Sequence, residues 1–129
     1  NEPNDTQLYN MKMICLNILE PIRTTFDRPV IITSGFRSVK LCEAIGSSSK
    51  SQHAKGEAAD FEIPGVSNKE VADWIHENLP YDQLILEFFD GKDPNSGWIH
   101  CSHKANDNRG QYLIATKNKI GITEYSPAI

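Results

Sequence analysis

The chain has 129 residues, 39% of them apolar and 23% charged, and a formal net charge of −4 at pH 7. That length favours a single domain, residues 1–129, burying roughly two-thirds of the surface the unfolded chain exposes, which makes a core without covalent staples. The apolar content excludes an intrinsically disordered chain, and 17 acids against 13 Lys and Arg argue against a nucleic-acid footprint.

No apolar run approaches the about 18 residues of a membrane helix, so membrane insertion is not expected. The chain opens at Asn1 with no basic-then-apolar leader, so no signal peptide is seen. Cys15, Cys42 and Cys101 are odd in number, widely spaced and form no CxxC pair. They read as small core residues rather than a disulfide frame.

In chain order, Leu8, Met11, Ile14, Cys15, Ile18, Leu19 and Ile22 follow three-and-four spacing. This predicts an amphipathic helix from Leu8 to Phe26, capped at Asp5 or Thr6, with a kink or break at Pro21. Val30, Ile31 and Ile32 read as a short buried strand, ended by a turn at Ser34-Gly35. Ser38 is suited to cap a short helix carrying Leu41, Cys42, Ala44 and Ile45. Residues 46–51, GSSSKS, form a polar loop that does not meet the phosphate-loop pattern GxxxxGK[ST].

Ala58 to Ile63 reads as a strand closed by Pro64-Gly65. Ser67 and Glu70 have capping-box spacing before a helix with Val71, Trp74, Ile75 and Leu79. Two strands follow, Gln83 to Phe89 and Trp98 to Ser102, joined by DGKDPNSG. A last pair, Gln111 to Ala115 and Ile120 to Glu124, flanks a Lys-Asn-Lys turn. Early helices and late hairpins give an α+β class: a small domain with a largely antiparallel sheet and helices packed on one side.

Chemistry concentrates at two histidines. His53 lies in SQHAKGEAAD, where a loop enters a strand holding Asp60, and the small Ala58 and Ala59 leave room beside that carboxylate. In GWIHCS, alternation puts Trp98, His100 and Ser102 on one face and Ile99 and Cys101 on the other. Two imidazoles and a carboxylate suit zinc, and three protein ligands leave one tetrahedral position for a water that the ion acidifies. The same spacing also arises by chance, since histidines near carboxylates are common. Cys101, on the opposite face, is not expected to join, and His76 reads as a surface or half-buried helix residue.

Ser34-Gly35-Phe36-Arg37-Ser38, then Ser51-x-His53-x-x-Gly56-x-Ala58-x-Asp60, then Gly97-Trp98-Ile99-His100-x-Ser102, resemble the M15 family of zinc peptidases across about residues 8–115. The resemblance implies a hedgehog and D-Ala-D-Ala-peptidase-like fold, and one Zn2+ per chain held by His53, Asp60 and His100. It implies that Arg37 binds substrate and polarises the scissile carbonyl; a plain ion pair with a turn carboxylate is the other reading of that arginine.

Many members of the family carry an acid three residues before the third ligand, where this chain has Gly97. The general base is therefore sought elsewhere. Glu87 interrupts the apolar strand Leu84 to Phe89, and burying an unpaired charge there is costly. It is the first candidate, with a structural carboxylate paired to Arg37 or a ligand's ring nitrogen as the other reading. Asp93, in the loop before Trp98, is the second.

Ser51 and Gln52 are candidates for orienting His53 or holding a substrate carboxylate, and Trp98 for flooring the cleft unless it packs in the core. His103 is placed at the surface or behind the site, Arg109 in an ion pair near a sheet edge, and Asp82 as a turn cap after Pro80. The resemblance implies hydrolysis of bacterial peptidoglycan stem peptides by a monomer, as a D-Ala-D-Ala carboxypeptidase or an L-Ala-D-Glu-type endolysin. The short single domain is most similar to the phage-type branch, phage-encoded or bacterial and acting on the cell wall. The alternatives are a non-catalytic zinc-binding recognition module of the same fold, which Gly97 keeps open, and a metal-free wall-binding domain.

Overall fold

In the computed structural model, which describes residues 1–129, the first helix is capped by Asn4 rather than by Asp5 or Thr6. The Asn4 side chain accepts the Gln7 N–H, and the Gln7 side chain accepts the Asn4 N–H, both at 2.8 Å. This capping box satisfies two otherwise orphan donors. Helix α1 (Asp5–Ile14) runs into a π-helical turn, Cys15–Leu19, and on into α2 (Glu20–Phe26). Pro21 is the reason. It has no N–H for the carbonyl four residues back, so Glu20 donates five residues back to Cys15 and the ring is taken into the first turn of α2. The expected break becomes a bulge, and Ile14, Ile18 and Ile22 all stay in the core.

Strand β1 (Ile31–Ser34) follows, then α3 (Val39–Ala44), capped as expected by Ser38, whose hydroxyl accepts the Leu41 N–H. A 3-10 turn (Gln52–Lys55) leads into β2 (Ala58–Glu62). Helix α4 (Asn68–Asn78) begins with Ser67 accepting the Glu70 N–H at 3.1 Å, one half of the expected capping box. Then come β3 (Gln83–Glu87), β4 (Trp98–Ser102), β5 (Gln111–Lys117) and β6 (Thr123–Pro127).

The strands form one six-stranded sheet in the order β1-β2-β4-β3-β5-β6, a small single-domain α+β architecture. The sheet is mixed, not antiparallel throughout, because β3 and β5 pair in parallel from Gln83↔Gln111 to Glu87↔Ala115. Residues 103–110 carry the chain from the end of β4 across β3 instead of back beside β4, and Asp82 fastens that crossing. Its carboxylate accepts the Arg109 N–H and its carbonyl accepts the Gln111 N–H.

Strand alternation divides the sheet into two chemistries. Ala59, Phe61, Leu84, Leu86, Ile99 and Cys101 face Ile14, Ile18 and Ile22 of the first helical stretch and Val71, Ala72 and Ile75 of α4. These helices thus cover one side of the sheet. The other residues of the same strands, Asp60, Ile85, Glu87, Trp98 and His100, line an open cavity on the opposite side.

Three expected elements differ. Ile31 and Ile32 are 48% and 44% exposed, because β1 is an edge strand with β2 as its one neighbour. β3 stops at Glu87, since Phe88 turns left-handed at φ +56°. The last strand lies at Thr123–Pro127, not Ile120 to Glu124: Asn118 accepts the N–H groups of both Ile120 and Ile122 and draws them into the turn. Cys42 and Cys101 are buried and Cys15 is exposed, all three free. No helix is long and apolar enough to cross a membrane.

Candidate active site

His53 is presented by the 3-10 turn, which Ser51 caps by accepting the His53 N–H at 3.2 Å. Helix α1 holds this turn from outside: Gln7 donates to the Ala54 carbonyl and Asn10 to the Lys55 carbonyl. The approach is close enough that a Cβ on Gly56 would stand 2.4 Å from the Gln7 carbonyl oxygen, at a φ of +76°. Only glycine fits there.

The buried His53 ring has Nδ1 2.8 Å from the Gly35 carbonyl oxygen. A carbonyl only accepts, so Nδ1 carries the proton and Nε2 keeps its lone pair, facing Asp60 Oδ1 at 3.4 Å. His100 Nδ1 lies 2.9 Å from the same Asp60 oxygen. Antiparallel register explains the meeting, since Asp60 of β2 and His100 of β4 are direct partners. The potential ligand atoms of His53, Asp60 and His100 all lie within 4.8 Å of one another. Burial pushes the Asp60 carboxyl up, but the His100 and His53 rings beside it outweigh that and hold it far below the usual carboxylate range. Two imidazoles, one oriented by a carbonyl, and an ionised carboxylate fit a borderline divalent ion such as zinc.

These three residues face a cavity of about 440 Å3 that Arg37, Ser51, Glu87 and Trp98 also line. Arg37 forms no ion pair, and its Nε is buried without a hydrogen-bond partner. Arg37, lining the cavity without an acidic partner, is placed to meet a ligand's acceptor. Glu87 closes β3 opposite Trp98 and pairs with neither Arg37 nor a ring nitrogen. Burial, seconded by Asp60, pushes its carboxyl above the ordinary glutamate value against the pull of His100 and His53.

Asp93 is exposed in the 90–97 loop, accepts the Asn95 N–H, and does not line the cavity. Trp98 lies at the cavity, not in the core, with its ring 5.3 Å from that of Phe88. His103 is buried away from the cavity, and half-buried His76 on α4 bonds the Tyr81 hydroxyl. Cys101 faces the core. Gln52 donates to Asp82 and Glu57.

Asp82 does more than cap a turn. Fully buried, it receives Arg109 through Nε at 3.1 Å and Nη2 at 2.7 Å as well as Gln52 at 3.1 Å. Lys50, Gln83, Arg109 and Tyr125 also line the cavity. Sequence reading missed Lys50, Gln83 and Tyr125 and kept Arg109 away from the site. The polar residue Gln83, in register with Ile85 and Glu87 on an otherwise apolar strand, was the available signal.

Residues 3–102, most of the chain, match the family model described as peptidase M15. The chain belongs to the peptidase M15 family. No curated protein matches it. Membership makes it a peptidase with a peptide substrate, in a family of metallopeptidases, and the matched span contains Arg37, His53, Asp60, Glu87 and His100. Arg109 and strands β5 and β6 lie beyond the match.

Proposed function

We propose that this chain is a zinc-dependent peptidase that hydrolyses peptide bonds in the stem peptides of bacterial peptidoglycan. The observation that carries the reading is the convergence of His53, Asp60 and His100 within 4.8 Å, in a cavity whose wall holds an unpaired Glu87 and an unpaired Arg37. His53, Asp60 and His100 would hold the ion. When bound, zinc supplies Lewis acidity toward a carbonyl and toward water.

The remaining work falls to the chain. Glu87, with its affinity for protons raised, takes a proton from the attacking water and delivers it to the departing amine. Arg37, which lines the cavity without a carboxylate partner, directs its guanidinium at the scissile carbonyl oxygen, where negative charge develops. The Gly35 carbonyl keeps the His53 ring in one tautomer throughout. Trp98 offers a flat apolar wall for the substrate. The enzyme acts as a monomer on the cell wall, phage-encoded or bacterial, with a hedgehog and D-Ala-D-Ala-peptidase-like fold, as a carboxypeptidase or an endolysin-type endopeptidase.

The rival, a zinc-binding module without chemistry, drew its support from Gly97 in place of an acid. A Cβ at that position would lie 1.8 Å from the Glu87 carbonyl oxygen, so a backbone demand accounts for the glycine. Incubation with purified peptidoglycan decides between the two. New amines and shortened muropeptides by mass spectrometry, abolished by a chelator and restored by zinc, are expected; intact peptidoglycan with stoichiometric zinc bound would establish the module instead.

A further inference from the structure

The cavity carries a charge opposite to that of the chain around it. Arg37, Lys50 and Arg109 line it against two acids, Asp60 and Glu87, in a protein of net charge −4. Asp60 is already engaged by two histidines. Arg109 reaches the cavity from the loop that crosses β3, beside Gln83, while Glu87 stands at the other end of the same strand.

A structural ion pair does not account for Arg109 alone. Asp82 is fully buried and needs a counter-charge, yet it has two: Arg109 at 2.7 Å and Lys104 at 3.7 Å. Arg109 spends Nε and Nη2 on Asp82, leaving Nη1 uncommitted on a side chain that is 51% exposed. A guanidinium fixed on one edge and open on another, in a cleft, is pre-organised for a second carboxylate. Gln83 lies two strand residues, about 7 Å, from Ile85, the partner of His100.

We propose that Arg109 anchors a substrate carboxylate one to two residues from the bond that is cut, so that the site selects peptides bearing a free carboxylate there. The inference rests on the peptidase reading and specifies its substrate. Its chemistry is met by a terminal α-carboxylate or by an acidic side chain.

NMR titration of the chelator-treated chain reads the anchor without competition from an ion, which would itself draw a carboxylate. The probes are acetyl-D-Ala-D-Ala against its C-terminal amide, and acetyl-L-Ala-D-Glu-amide against acetyl-L-Ala-D-Gln-amide. Wild type is expected to bind one acid about tenfold more tightly than its amide, and the pair that shows the preference names the source. The double variant D82N/R109Q, which strands no buried charge, is expected to bind acid and amide alike, and R109K to fall between.

A wild type without preference in either pair, or a preference that survives in folded D82N/R109Q, overturns the proposal. Peptidoglycan digestion keeps the two readings apart. Cutting without an Arg109-dependent preference removes the anchor and leaves the peptidase; the preference without cutting does the reverse.

Discussion

Gly97 and Glu87 meet so closely across the β3–β4 hairpin that a Cβ on residue 97 would stand 1.8 Å from the Glu87 carbonyl oxygen. Gly97 also holds φ at +68°, where side chains are strained. Installing the acid that many M15 peptidases carry at this position is therefore harmful here. Gly97→Asp should destabilise the fold by about 1–3 kcal/mol or more, lowering Tm by at least several degrees in a thermal melt. It should lower turnover as well, because the displaced backbone belongs to Glu87.

Zinc content tests the ligand set directly. Wild type, dialysed against zinc and then against buffer, should retain a single equivalent by atomic absorption. His53→Ala, Asp60→Ala and His100→Ala should each retain little or none and show only background hydrolysis. Asp60 touches both rings, so its loss should also loosen the metal-free site.

Glu87→Gln separates chemistry from binding. Turnover should fall by about 10² or more with zinc content unchanged, and the acidic limb of the pH–rate profile should disappear. Stability moves the other way. Burial raises the Glu87 carboxyl above its ordinary value, so the folded metal-free chain binds that proton more tightly than the unfolded chain. The carboxyl therefore costs stability as pH rises through its folded value. Metal-free Glu87→Gln should melt higher than wild type at neutral pH, and the difference should vanish in acid.

Asp82 should appear in acid denaturation. Burial raises its carboxyl, but the Arg109 hydrogen bonds, the Arg109 charge and Gln52 hold it down to about 2, below the ordinary 3.8. Its contribution is full above 3.8 and is lost as pH falls toward about 2. Asp82→Asn should cost about 1–3 kcal/mol at neutral pH and flatten the stability curve in that window, read by urea titration at stepped pH.

The parts of the site visible in sequence were those governed by local rules. Alternation in Trp98–Ser102 assigned His100 and Cys101 to opposite faces, and a glutamate inside an apolar strand drew attention to Glu87. Capping by Ser38 was equally local. What escaped depended on distant partners. No periodicity reveals that residues 103–110 cross β3, so the parallel β3–β5 pair and the arrival of Arg109 in the cleft went unseen. Ile31 and Ile32 are β-branched wherever their strand lies, and only its place at the sheet edge leaves them in water. Ile120 looked like a strand residue because its own side chain says nothing of Asn118 gathering the N–H groups around it.

Strand β4 has neighbours on both sides, and from Trp98 to Cys101 its residues alternate between the polar cleft and the oily interior. A slip of one position would carry His100 inward and turn Ile99 and Cys101 outward, spoiling both environments together. Correct folding and a correctly assembled centre are thus a single event in this chain: the greasy side of the strand proofreads the reactive one.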